Sequence, residues 1–258
     1  LLVFTPPQRA EPLAEEWQGK TFIQDVEIRV ATEEFATFGV HGPKATEKIA
    51  SVLHQASAPE PLLSFDRGEL GDAGVTVIRT DNLAGEESYD VVCGADDGER
   101  VFDTLVNRGL NAVPFGYRTW DRLTLEAGSP LFDTEIEGTL PNDLGLRNAL
   151  DFEKGCYVGQ EVVSRIENRG QPGERFVGLV VDPTAEDPQV PETGAAVLDG
   201  DRAVGEVTRA AESSSVEGVI ALAVVDQGVE GPDLLVRADG ETVPAELRSL
   251  PFVEGSER

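Results

Sequence analysis

Lys154-Gly155-Cys156-Tyr157-Val158-Gly159-Gln160-Glu161 gathers a cation, a thiol, a phenol and a carboxylate into one octapeptide. A lysine two residues before a cysteine favours the thiolate, the form that attacks electrophiles. Glycines on either side of Cys-Tyr permit tight backbone geometry. The plain alternative for Cys156 is a small core residue, and Cys93, at the end of the apolar run Tyr89 to Cys93, fits that alternative.

Charge sets this segment apart. The chain has 258 residues with 48 Asp+Glu against 21 Lys+Arg, a net charge of −27. Between Leu144 and Gly178, however, Arg147, Lys154, Arg165, Arg169 and Arg175 balance Asp151, Glu153, Glu161, Glu167 and Glu174. The whole acidic excess lies outside this neutral window. Two readings stand: a buried segment between domains, or a pocket that accepts an anionic ligand. Elsewhere such acidity repels nucleic acid and anionic membranes, so neither is an expected partner. With only four Lys (Lys20, Lys44, Lys48, Lys154) among the cations, the composition points to a protein of a salty cytosol, where a screening length of ~3 Å at 1 M blunts self-repulsion; the plain alternative is an ordinary acidic protein. His41 and His54 have no carboxylate or thiol cluster beside them in sequence, so no metal site is expected. No Gly-x-Ser-x-Gly marks a serine hydrolase. Gly68 to Gly74 is Gly-rich without phosphate-loop or dinucleotide spacing, and reads as a turn. Two cysteines cannot form a disulfide framework.

The elements that must hold these residues follow from periodicity. Leu1 to Phe4 reads as a short strand stopped by Pro6-Pro7, with its natural start upstream, so that the chain is expected to be a fragment. A helix over Ala10 to Gln18 and a strand over Thr21 to Val30 follow. Strands over Phe35 to Val40, Val75 to Arg79 and Tyr89 to Cys93 alternate with helices over Lys44 to Leu53 and Gly98 to Arg108. That order suggests an α+β sandwich of the split βαβ, ferredoxin-like kind. A further helix, Trp120 to Ala127, stops at Gly128-Ser129-Pro130. From Arg175 onward six short runs, Phe176–Val181, Ala195–Leu198, Ala203–Val207, Val219–Val225, Leu234–Val236 and Val243–Leu247, predict a small antiparallel β-barrel. The domain organisation expected is a motif-bearing region over 1–174, with its ferredoxin-like part at 32–115 and a connector at 141–174, followed by the barrel over 175–258.

The octapeptide resembles the signature of YgfZ-type folate-binding proteins, relatives of the glycine-cleavage T protein (aminomethyltransferase). The likeness extends to Trp120–Pro130, which ends in Glu126-Ala127-Gly128-Ser129-Pro130. It also takes in Pro141-Asn142-Asp143-Leu144-Gly145-Leu146, Gly85-Glu86-Glu87-Ser88-Tyr89-Asp90, Gly205-Glu206-Val207-Thr208 and Pro251-Phe252-Val253. The resemblance implies tetrahydrofolate as the cofactor, with Glu126 accepting two N–H bonds from the pterin edge. The alternative for Glu126 is an i,i+4 helix pair with Arg122. Trp120 matches a tryptophan that walls the folate ring, its alternative being ordinary packing; Lys154 would face the folate glutamate tail. Cys156 would be the reactive, catalytic group.

Cys156-Tyr157 stands where the T protein has Asp-Phe, so the resemblance favours the YgfZ type. The expected role is folate-dependent support of iron–sulfur cluster assembly or repair, with iron–sulfur proteins or their assembly factors as partners. The rival is an aminomethyltransferase moving a one-carbon unit from a lipoyl carrier to tetrahydrofolate. A non-catalytic binding module is the third reading. The T protein's catalytic aspartate would fall before Leu1.

Overall fold

The computed structural model of the chain describes residues 1–255 apart from 24, 81, 82, 187, 232 and 233, and the backbone alone at Arg169. Two units separate: Leu1–Asn82 with Glu87–Pro114, and Leu83–Glu86 with Phe115–Arg258.

In the first unit α1 (Ala10–Lys20) is a surface helix with no buried residue. Neither strand expected on its flanks forms. Leu1 to Phe4 and the described residues of 21–30 carry no strand, and Leu1, Phe4, Phe22, Ile23 and Val26 are exposed. Gln24 of the second stretch lies outside the described residues. Alternation makes a strand only where a partner edge and a core face receive it, and the Pro6-Pro7 pair removes two ladder donors.

The sheet is β1 (Phe35–His41), β2 (Phe65–Leu70), β3 (Ala73–Arg79) and β4 (Ser88–Gly94), with α2 (Ala45–Val52) after β1 and α3 (Gly98–Asn107) after β4. Its order is β1-β4-β3-β2 and every neighbouring pair is antiparallel. β1 and β3 therefore run the same way with β4 between them, which is the split strand–helix–strand arrangement. The unexpected member is β2, an edge strand whose first three residues are exposed. It joins β3 through Gly71 and Asp72, both at positive φ (55° and 67°), as a tight hairpin turn requires. The Gly-rich stretch Gly68 to Gly74, read as a turn, is thus mostly strand, with the turn confined to Gly71 and Asp72. Ala45, Ile49 and Val52 of α2 and Val101 and Leu105 of α3 pack on Val75, Val77, Val91 and Cys93.

In the second unit α4 (Tyr117–Glu126) is followed by a π-helical turn, Phe132–Ile136, and later by α5 (Gln160–Arg169). α5, which periodicity did not announce, starts behind Gly159 (φ 84°) and buries Val163. The six strands expected after Arg175 all form: β5 (Glu174–Val181), β6 (Ala196–Asp199), β7 (Arg202–Ser213), β8 (Gly218–Asp226), β9 (Leu234–Ala238) and β10 (Glu241–Arg248). They close into a barrel in the order β10-β5-β8-β7-β6-β9.

β8 explains why Val219–Val225 is apolar throughout. Val219, Ala221, Ala223 and Val225 belong to the barrel's main core. Ile220 and Leu222, on the other face, pack with Leu125 of α4 and with Leu250 and Phe252. A strand buried on both faces has no reason to alternate. Gly205 of β7 has no room for a side chain, since a Cβ there would lie 2.2 Å from the Val224 carbonyl oxygen of β8.

Candidate functional site

The end of α4 is fixed by its own backbone. Gly128, at φ +66°, donates to the Leu125 carbonyl (2.9 Å), and Ser129 N–H donates to the Thr124 carbonyl (2.9 Å). This is the paired-bond helix stop that favours glycine in the left-handed region. A Cβ on Gly128 would also come within 2.8 Å of the Leu250 side chain. Glu-Ala-Gly-x-Pro is therefore a stop signal with a packing requirement.

That stop leaves Glu126 on the last helical turn, against the barrel. The residue is 8% exposed. Its Oε1 accepts from Ser213 Oγ at 2.6 Å and its Oε2 from Ser215 Oγ at 3.4 Å. Its backbone carbonyl accepts from Phe252 N–H (2.9 Å) and Val253 N–H (3.2 Å). Ser213 Oγ in turn accepts from Val216 N–H at 3.1 Å, which sets the turn between β7 and β8. No ion pair joins Glu126 to Arg122 among the described residues, so the helix-surface alternative does not hold: the carboxylate turns inward, where Arg122 does not follow. The result is a buried carboxylate bonded to two hydroxyls. An anion without a cation is costly to bury, and such groups concentrate at binding and catalytic sites. Trp120, a turn and a half earlier on α4, is half-buried.

A second buried acid holds the same helix end in place, and nothing in the sequence marked it. Glu135, 2% exposed, sits in the π-helical turn. Its Oε1 accepts from Arg209 Nε (2.8 Å) and Thr208 Oγ1 (2.9 Å), and its Oε2 from Leu131 N–H (2.7 Å). Arg209 also donates to Thr124 Oγ1 (2.9 Å) and to the Ser129 carbonyl (2.5 Å). The pairing register of β7 with β8 shifts between Val207 and Arg209. A bulge of this kind re-aims side chains, and here it turns Thr208 and Arg209 toward Glu135. In the first unit Arg79 and Glu87 form another buried ion pair (3.3 Å), with Arg79 also donating to Tyr89 Oη (2.8 Å).

The octapeptide has a different setting. Cys156 is exposed, and Lys154 and Val158 with it. Among the described residues of Leu144–Gly178 only Leu144, Val163, Val177 and Gly178 are buried, so the reading of this window as a buried segment is corrected: its described charged side chains are exposed, apart from the half-buried Arg175. Its cations are largely engaged internally. Lys154 Nζ lies over the Tyr157 ring (5.0 Å), Arg147 pairs with Glu167 and stacks on Phe152 (5.1 Å), and Arg175 donates to the Val229 carbonyl. Lys154 is thus drawn to the phenyl face. Asp151 Oδ1 accepts from the backbone N–H of Glu153 (2.8 Å) and of Lys154 (3.2 Å), which shapes the turn before the cysteine.

Cys93 is the contrast: it is 3% exposed, and burial, with Asp97 adding to it, pushes its thiol up. We predict that a thiol reagent labels Cys156 in the folded protein within minutes and Cys93 only after denaturation. Equal labelling of both in the folded state would contradict this placement.

Comparison with known proteins gives the family. Residues 9–154 match the GCVT N-terminal domain family, and residues 174–254 match the glycine cleavage T-protein C-terminal barrel domain. The chain belongs to the glycine cleavage T-protein family. Relatives named aminomethyltransferase include one from Thermus thermophilus, 33% identical over 229 residues, and one from Streptomyces coelicolor, 32% identical over 241. Each match takes in 88% of this chain and 62% of the relative, so the chain spans about three-fifths of the length of these proteins. The crystal structure of glycine cleavage system aminomethyltransferase T from Bartonella henselae shares the fold. Its TM-score is 0.76 at 22% identity, over 96% of this chain and 67% of that one.

Proposed function

We propose that this chain binds tetrahydrofolate and serves the aminomethyl transfer for which its relatives are named. The observation that carries the proposal is the Glu126 carboxylate, buried and bonded to Ser213 and Ser215. A carboxylate offers about four acceptor positions. Two hydroxyls use two of them, and the remainder suits a flat edge with two N–H donors, which a carboxylate accepts in a bidentate pair. The pterin of tetrahydrofolate has such an edge.

Glu126 binds and orients in this reading, and the Ser213 hydroxyl holds its carboxylate in one rotamer. Trp120 gives an aromatic wall for the ring. Lys154 would serve the glutamate tail by leaving the Tyr157 ring, an exchange of one weak cation contact for an ion pair. Tetrahydrofolate, when bound, accepts the one-carbon unit; a lipoyl carrier is the donor partner. Titration of tetrahydrofolate into the protein and its Glu126 variants tests this, with the outcomes set out below.

One observation favours a second reading. Cys156, exposed beside Tyr157, is the feature that resembles the YgfZ type, for which Cys156 would act as a thiol in support of iron–sulfur proteins or their assembly factors. Under that reading Cys156→Ser abolishes recovery of an iron–sulfur enzyme in cells and leaves folate affinity unchanged. Full recovery with the serine variant would leave the thiol without that role.

We also place the protein in a salt-rich cytosol on the strength of its charge. Its melting temperature should then rise steeply as salt is raised toward molar concentrations, because screening removes self-repulsion. A melting temperature indifferent to salt would contradict the placement.

A further inference from the structure

The apolar contacts between α4 and the barrel hold the helix without fixing its register. Leu125 packs with Ile220 and Leu222 of β8 and with Leu250 and Phe252. Hydrophobic contact is non-directional, so a small slide or rotation of α4 costs it little. A binding carboxylate on that helix is more exacting, because its geometry must hold to within about 0.5 Å. Directed bonds have to supply the register, and β7 supplies them at two points. Ser213 Oγ bonds the Glu126 carboxylate at 2.6 Å. Arg209, four residues earlier on the same strand, bonds the helix itself.

Arg209 spreads one rigid guanidinium over three successive parts of the chain. Its Nη1 donates to Thr124 Oγ1 inside α4 (2.9 Å) and its Nη2 to the Ser129 carbonyl beyond the helix stop (2.5 Å). Its Nε donates to Glu135 in the π-helical turn (2.8 Å). Glu126 lies in sequence between the first two anchors. Thr124 is fully buried, and its hydroxyl has a single proton. With a lone pair taken by Arg209, Thr124 Oγ1 turns that proton to the carbonyls of Trp120 (3.0 Å) and Asp121 (3.1 Å). Bonds therefore run from Glu135 through Arg209 and Thr124 to the backbone of Trp120. A planar fork can span such separated acceptors, and the single nitrogen of a lysine cannot. Neighbouring residues of a strand face opposite ways, yet Thr208 and Arg209 both bond Glu135. The bulge makes this possible, because the register shift leaves Thr208 without a partner on β8.

We propose that Arg209 is a positioning residue for the ligand site. It touches no ligand and acts through Thr124 and Ser129, fixing the height and rotation of the last turns of α4 and so placing Trp120 and Glu126. This role rests on the tetrahydrofolate reading of Glu126. It separates two effects that usually travel together. Replacing Glu135 and Arg209 by apolar residues removes the stranded charge and restores stability, but it restores no directed bond to α4.

The test uses the whole chain in a Trp17→Phe background, which leaves Trp120 as its one tryptophan. Melting, tetrahydrofolate affinity and acrylamide quenching of Trp120 in the ligand-free protein are measured at constant high salt. Glu135→Leu with Arg209→Met should melt near the parent, yet bind about tenfold more weakly, the scale of one lost bond to a charged group. Its Trp120 should also be quenched more readily. Thr124→Ser, which keeps the hydroxyl, should bind as the parent does, whereas Thr124→Val should lose about tenfold. Parental affinity and quenching in the stable double variant would overturn the role of Arg209 and leave Glu126 as the binding group. If the double variant does not fold, equal affinity in the two Thr124 variants would overturn it. Absence of binding by the parent itself would sink the tetrahydrofolate reading, and this role with it.

Discussion

Glu135→Ala is expected to lower the unfolding free energy of the barrel-bearing unit by about 3–5 kcal/mol, the loss typical when one partner of a buried ion pair is removed. The Glu135 side chain is fully buried and that of Arg209 is 12% exposed, so water cannot replace the lost bond. Alanine would leave the Arg209 guanidinium, among the described residues, with Thr124 Oγ1 and the Ser129 carbonyl alone. It would also free Leu131 N–H and Thr208 Oγ1 from their shared acceptor. Replacing the pair together, Glu135→Leu with Arg209→Met, should recover most of the loss, because the penalty comes from the stranded charge. Chemical denaturation at constant high salt measures both. A loss under about 1 kcal/mol in the single variant would mean that the pair is screened as a surface pair is.

The second large effect is on binding. Glu126→Ala should weaken tetrahydrofolate by about 2 kcal/mol or more, roughly thirtyfold, as charge-assisted bonds at a buried site are lost. Ser213→Ala should cost less, about 1 kcal/mol, because the carboxylate remains but loses the 2.6 Å bond that holds its rotamer. Both variants also remove a bond between α4 and the barrel. Unfolding is therefore measured beside binding, and a variant that melts above the titration temperature reports affinity alone. If Glu126→Ala lost stability and kept its affinity, the carboxylate would be an anchor for the turn between β7 and β8 and nothing more.

How much of this was legible beforehand depends on the kind of contact. The barrel strands were readable because short apolar runs broken by Gly, Asp and Pro have few other uses. The two-sided burial of β8 is why Val219–Val225 was the plainest of them. The stop after α4 was readable because Gly128 must adopt positive φ. Leu1–Phe4 and Thr21–Val30 misled, since alternation records a possible face and not a partner. β2 escaped notice because Phe65-Asp66-Arg67-Gly68-Glu69-Leu70 is an edge strand with little apolar pattern, defined by its pairing to β3.

The site divides in the same way. Glu126 could be singled out by resemblance, but its burial and its two serine donors come from β7 and the turn after it, 87 and 89 residues further on. Glu135 is one acid among 48 and has no local mark. Its partners Thr208 and Arg209, 73 and 74 residues away, distinguish it. Cys93 and Cys156 were separable from their neighbours alone, an apolar run against a glycine-flanked polar one. The net charge did locate the exposed octapeptide segment, but which of its cations are engaged depended on Tyr157, Phe152 and Glu167.

The central claim is that Glu126 receives the pterin edge, and calorimetric titration of tetrahydrofolate into the wild-type chain and its Glu126→Gln variant tests it most directly. Glutamine keeps the volume and one acceptor but presents an amide donor to the ligand's donors. The account predicts saturable binding to the wild type and affinity at least about thirtyfold weaker in the variant, with both proteins folded. Equal affinity in the two, or no binding heat in the wild type, would contradict it.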